Sequence, residues 1–188
     1  MMSSPLVVLT GPMGVGKSTI GQLLAKRLGV GYRDTDDDIA MAEGRPIAEI
    51  FRDQGEVYFR AVEAQAVRAA LAEHEGVLAL GGGSILDSAT RELLVGLPVV
   101  FLDVSAGEAL KRLHLDAPRP LLIGNPCQGW RELMEARRPL YTSVACAVVS
   151  TDGQTLNQVA DVVLGASSAS SKRSPSQAAF TRMQLMPR

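Results

Sequence analysis

Residues 6–19 read LVVLTGPMGVGKST. The opening apolar run does not alternate with polar residues, which is the pattern of a strand covered on both faces. Gly11-x4-Gly16-Lys17-Ser18 then has the spacing of a phosphate-binding loop, and a helical pattern begins at Thr19. Glycines let the backbone curl so that several N–H groups point inward, and the helix adds its positive N-terminal end. Lys17 is expected to reach the β- and γ-phosphates of a nucleotide, and Ser18 to place its hydroxyl on Mg2+. Gly14, Val15, Gly16 and Thr19 complete the expected cradle.

Outward from this unit, Val77–Leu80, Val99–Leu102 and Ala147–Val149 repeat the unbroken apolar pattern, and a weaker strand ends in GYRD, residues 31–34. Helical periodicity falls between them, over Thr19–Leu28, Pro46–Asp53, Glu56–Glu73, Ala89–Leu94, Ala106–Leu113, Trp130–Arg137 and Leu156–Leu164. Alternating strands and helices predict an α/β fold in three layers, a parallel sheet with right-handed crossovers and helices on both faces. Ligands of such sheets bind beyond the carboxyl ends of the strands. The residues just after each run therefore carry the functional expectations: 11–18, 34–38, 81–84, 103 and 151–154.

The chain has 188 residues, 46% of them hydrophobic, and a net charge of −1, which suits one soluble domain. A balanced charge excludes a broad nucleic-acid or membrane surface, since either needs a basic face. Neither a leader nor a membrane span is read in the sequence, so a cytoplasmic location is expected; a monomer is expected as well. Cys127 and Cys146 lack metal or redox spacing and read as incidental thiols. From Ala166 the tail carries six serines, four basic residues and no acid. The expected organisation is one folded P-loop domain over 1–165 and a disordered basic tail over 166–188.

Acids and arginines suggest what the loop serves. Magnesium keeps several waters and takes one or two protein oxygens, so a carboxylate at a neighbouring strand end is required. The segment DTDDDI supplies Asp34 and Asp36 there, while Asp37 and Asp38 suit the start of a helix. Arg60 and Glu63, three apart on a helix, can pair and hold the guanidinium in one direction, or be a plain surface ion pair. Gly81-Gly82-Gly83 at a strand end allows close approach of a ligand to the backbone, or is simply a flexible turn. Residues 115–129 interrupt the rhythm with prolines and read as a lid loop, from which Arg119 could reach transferring phosphate. Arg137 and Arg138 stand before Pro139, where either could meet an anion or cap a helix end.

The motifs GPMGVGKST, DTDDDI, FRAVE, LGGGS, RPLL and RRPLY occur in this order across about residues 5–165. Together they resemble a shikimate kinase. That resemblance implies a P-loop fold of nucleoside-monophosphate-kinase type, with five parallel strands in the order 2-3-1-4-5. It implies transfer of the ATP γ-phosphate to the 3-hydroxyl of shikimate, with one Mg2+ per site, in the route to chorismate and aromatic amino acids. By position, Lys17 and Arg119 would serve the phosphates, Ser18 and Asp34 the magnesium, and Asp36 the acceptor hydroxyls as a weak base of ordinary pKa, ~3.9. Arg60, Gly82 and Arg137, with Gly81 and Gly83, would clamp the shikimate carboxylate, and Glu63 would orient Arg60. Arg112 would flank the adenine. Relatives often carry an arginine and a proline where this chain has Gln154 and Leu156, so the adenine contact falls to Gln154. Two alternatives stand beside this reading: another small-molecule kinase, gluconate-like, and a nucleotide-binding regulatory module without turnover.

Overall fold

The first strand, β1 (Val7–Thr10), is buried along its whole length between two parallel neighbours. It belongs to a computed structural model that describes residues 4–113 and 126–171. Val7 pairs with Val77 of β3 (Val77–Ala79), and Leu9 with Val100 of β4 (Val99–Asp103). β2 (Tyr32–Asp34) joins the far side of β3, and β5 (Ala147–Ser150) the far side of β4. All five strands are parallel, in the order β2-β3-β1-β4-β5. The three central strands are the unbroken apolar runs, because both of their faces are covered. The two edge strands are only partly buried, and Val148 on β5 is half exposed.

The chain leaves β1 toward β2 on one side and later reaches β4 on the other, so the loops after β1, β2 and β3 open into one crevice at the strand ends. α1 (Lys17–Leu28) starts from Gly16 in the left-handed region (φ 91°) with no capping side chain, which leaves its first N–H groups open to a ligand. α2 (Thr35–Glu43) follows β2 directly; the acids at its start suggest it, but no helical periodicity does, since it buries only Thr35 and Ile39. α3 (Ile47–Glu73) joins two expected helices through a kink at Gly55 (φ 81°, ψ 173°). Ile39, Ile50 and Phe59 form a small second core beneath α2 and α3, apart from the main one around the sheet.

After α4 (Ser88–Leu94) and α5 (Ala106–Leu113), α6 spans Pro126–Val144. The sequence ends this helix at Arg137 because of Pro139, yet it continues past the proline and buries Tyr141 and Val144. Burial of those side chains outweighs the single backbone hydrogen bond that proline cannot make. α7 (Leu156–Ser171) also passes the expected boundary at residue 165, with Ser167 buried and donating to the Val163 carbonyl at 2.7 Å. Arg119 and most of the expected lid lie outside the described residues, as do residues 172–188. Among the described residues no helix is long and apolar enough to cross a membrane.

Candidate active site

At the carboxyl ends of the strands lies a cleft of about 890 Å3 whose walls include Lys17, Ser18, Asp34, Asp36, Arg60 and Arg137. One end is the loop after β1. Gly11 (φ 147°) and Gly14 (φ 81°) hold backbone conformations that side chains resist, and a Cβ on Gly11 would collide with the Leu102 carbonyl. Lys17 Nζ donates to the loop's own carbonyls, Gly11 at 2.8 Å and Pro12 at 3.2 Å, so the ammonium is held over the cradle it closes. Gly16 and Thr19 line the cleft beside it, while Val15 is buried.

Asp34 ends β2 and caps α2, its Oδ1 accepting from the Asp36 N–H at 3.0 Å. Its Oδ2 accepts from Ser18 Oγ at 3.2 Å and from the Tyr32 hydroxyl at 2.9 Å. The Ser18 and Asp34 oxygens thus meet at the mouth of the phosphate loop, a hard oxygen pair of the number and type that magnesium takes from protein. Tyr32 is absent from the sequence expectations; alternation along β2, two residues before Asp34, is the signal that could have found it.

Asp36 projects from the first turn of α2 into the same cleft. Its carboxyl is pushed up to about 6, chiefly by burial and then by the charge of Asp34; Lys17 opposes the shift, and Glu63 and Asp37 add to it. It is therefore a better proton acceptor near neutrality than the ordinary carboxylate expected from sequence.

Facing it are the arginines. Arg60 donates through Nη1 to Glu63 at 2.7 Å, and through Nε and Nη2 to Glu56 at 3.3 and 3.1 Å. Phe51 and Phe59 flank its guanidinium, with centroids at 5.8 and 5.4 Å. Glu63 is buried and also accepts from Ser84 Oγ at 3.2 Å, which makes the Arg60–Glu63 pair part of the interior rather than a surface ion pair. Glu56 is a partner the sequence reading missed, although its i,i+4 spacing to Arg60 was visible. The glycines pack closely here: a Cβ at Gly83 would fall on the Arg60 guanidinium, and one at Gly81 would crowd Asp36 and Glu63. The Gly81 N–H is already taken by Thr35 Oγ1 at 3.0 Å.

Arg137 comes from α6 and is buried, donating to the Gly82 carbonyl at 3.3 Å. Arg138 points elsewhere, pairing with Asp103 and lying 6.0 Å from the Phe101 ring centroid. Of the two arginines left open by sequence, Arg137 is the one in the cleft. Arg112 donates to the Val15 carbonyl at 3.2 Å and to Thr151 Oγ1 at 3.1 Å, bridging the phosphate loop to the end of β5. Gln154 is exposed, donates to the Ser150 carbonyl at 2.9 Å, and is not among the cleft's walls. The two cysteines are free thiols, Cys127 half-buried and Cys146 exposed.

Comparison with known proteins identifies the family. The family model described as shikimate kinase matches residues 13–167. A curated shikimate kinase from Streptomyces coelicolor is 66% identical over 165 residues, covering 88% of this chain and 96% of the relative. One from Streptomyces avermitilis is 64% identical over the same length, with the same shares covered. Among solved structures, a shikimate kinase from Acinetobacter baumannii in complex with shikimate superposes with a TM-score of 0.79 at 36% identity, covering 86% of this chain and 91% of that one.

Proposed function

The chain belongs to the shikimate kinase family, and from that premise we propose how its own residues carry a phosphoryl group from ATP to the 3-hydroxyl of shikimate. One observation supports the reading most: a single cleft has a phosphate loop at one end and a carboxylate-lined, arginine-flanked wall at the other. That is the geometry required to bring a nucleotide and a small anionic alcohol together.

ATP lies with its phosphates on the 11–19 loop, where inward N–H groups and Lys17 draw off negative charge. Arg112 closes the nucleotide side of the loop. Ser18 and Asp34 would hold the magnesium that accompanies ATP, and the ion would supply neutralisation of charge on the transferring phosphate. Shikimate offers its carboxylate to Arg60 and Arg137 with the glycine segment 81–83 between them. Its hydroxyls turn toward Asp36, which orients the attacking oxygen and accepts its proton late in the transfer. A loose transition state asks for positioning and charge neutralisation more than covalent catalysis. Arg119 is proposed to add positive charge at the phosphates, as the resemblance implies.

Incubation with ATP, Mg2+ and shikimate, followed by 31P NMR of the products, tests this reading. A new phosphomonoester resonance coupled to the proton on carbon 3, equal in amount to ADP, is expected. ADP release without a phosphorylated shikimate would refute it.

A further inference from the structure

Tyr141 is fully buried on α6 although it carries a hydroxyl, and nothing in the proposed chemistry uses it. Its oxygen donates to the Gly82 carbonyl at 2.5 Å, the same carbonyl that accepts from Arg137 at 3.3 Å. The positive charge of Arg137 also acts on the Tyr141 hydroxyl. The ring stacks on Phe101 of β4, with centroids 4.9 Å apart and planes at 21°. Burial pushes the hydroxyl up to about 12, so it remains a donor at any pH the protein meets.

These contacts depend on the helix that sequence would end at Arg137. Tyr141 and Arg137 are four apart, so a continuous helix through Pro139 stacks them on one face, both reaching the glycine segment. Two donors on one carbonyl leave it no freedom to rotate. Because a peptide unit is planar and trans, fixing the Gly82 carbonyl toward α6 fixes the Gly83 N–H in the opposite direction. Gly82 needs this restraint from outside: it carries no side chain of its own, and a Cβ there would come within 3.3 Å of the Gly11 carbonyl.

We infer that Tyr141 is a positioning residue for the carboxylate clamp, holding the Gly82–Gly83 peptide and the Arg137 guanidinium in the arrangement that receives the acceptor's carboxylate. The inference rests on the proposed use of Arg137 and Gly82 for that carboxylate. Tyr141 itself touches neither substrate. It acts through its neighbours, from beneath the floor of the cleft. A merely structural tyrosine would affect stability and both substrates alike, whereas a positioning tyrosine affects one.

Tyr141→Phe keeps the ring and its stack on Phe101 and removes one oxygen. KM for shikimate should rise about three- to ten-fold, the effect of one lost hydrogen bond, while KM for ATP stays within about two-fold. Arg137→Lys and the double variant complete a cycle, in which the two effects on KM for shikimate should combine to less than their product because both act on one carbonyl. Val163→Ala, a core truncation on α7, serves as the stability control: it should lower Tm and leave the ratio of the two KM values unchanged. Wild-type turnover of shikimate with an unchanged KM in Tyr141→Phe, or with both KM values rising together, overturns this inference alone. Absence of wild-type turnover with shikimate would remove the functional reading and this inference with it.

Discussion

Ser18 Oγ donates to Asp34 Oδ2 over 3.2 Å, a contact that ties the start of α1 to the end of β2 across sixteen positions of chain. The other oxygen of the same carboxylate caps α2 through the Asp36 N–H. One side chain therefore serves both the proposed cation site and the local fold, and substitutions should separate the two duties. Ser18→Ala should raise the Mg2+ concentration for half-maximal rate by about ten-fold or more with little change in Tm. Asp34→Ala should do the same and also lose the cap, at about 0.5–2 kcal/mol. Magnesium titrations beside thermal melts check this; equal Tm values for the two variants would contradict it.

Lys17 is held over the phosphate loop by two carbonyls of that loop and packs into no core. Lys17→Ala should leave the far-ultraviolet circular dichroism native while reducing turnover by about 10²–10³-fold, the effect of losing one preorganised charge donor. Near-normal turnover in a folded variant would show that the ammonium does not act on the transferred phosphate.

Asp36 connects catalysis to stability with opposite signs. Its folded-state pKa of about 6 lies above the ordinary 3.8, so the folded protein binds this proton more tightly than the unfolded chain does. Its contribution is fully present below about pH 4 and is lost as pH rises through 6. Asp36→Asn removes that loss: the variant should be more stable than wild type above pH 6, by about 3 kcal/mol, and the gap should close toward pH 4. Its kcat should fall strongly while ATP affinity barely moves. Denaturant melts across this pH range measure the first effect. If ATP binding collapses instead, Asp36 belongs to the magnesium site.

For Arg60, the planar fork matters as much as the charge. Its three donor positions are held by Glu63 and Glu56 between two aromatic rings. Arg60→Lys keeps one positive charge but cannot pair bidentately, so KM for shikimate should rise by tens-fold or more, with KM for ATP nearly constant. An analogue without the carboxylate should be a poor substrate of the wild type and nearly indifferent to the substitution. Equal losses toward both compounds would mean that Arg60 serves the fold.

The phosphate loop, the parallel sheet and most of the cleft residues were legible in the sequence because each is written in contiguous signals: an apolar run, a glycine spacing, an acid at a strand end. What was not legible depends on contacts between distant segments. Pro139 reads locally as a helix end, and only burial of Tyr141 and Val144 against the rest of the molecule carries α6 through it. α2 is short and weakly apolar, so its existence follows from the Asp34 cap and the small core around Ile39 rather than from periodicity. The raised pKa of Asp36 likewise comes chiefly from burial in the assembled cleft, with added charge from neighbouring Asp34 and from Glu63 on another helix.

The carboxylated acceptor proposed for this cleft is shikimate. Coupled ADP release with shikimate, gluconate and nucleoside monophosphates side by side, at equal ATP and Mg2+, tests it most directly. Shikimate-dependent turnover is expected with kcat/KM at least about 100-fold above either competitor, the discrimination that follows when the wrong acceptor leaves polar groups of the site unpaired. Comparable turnover with gluconate, or ADP release that does not depend on shikimate, would contradict it.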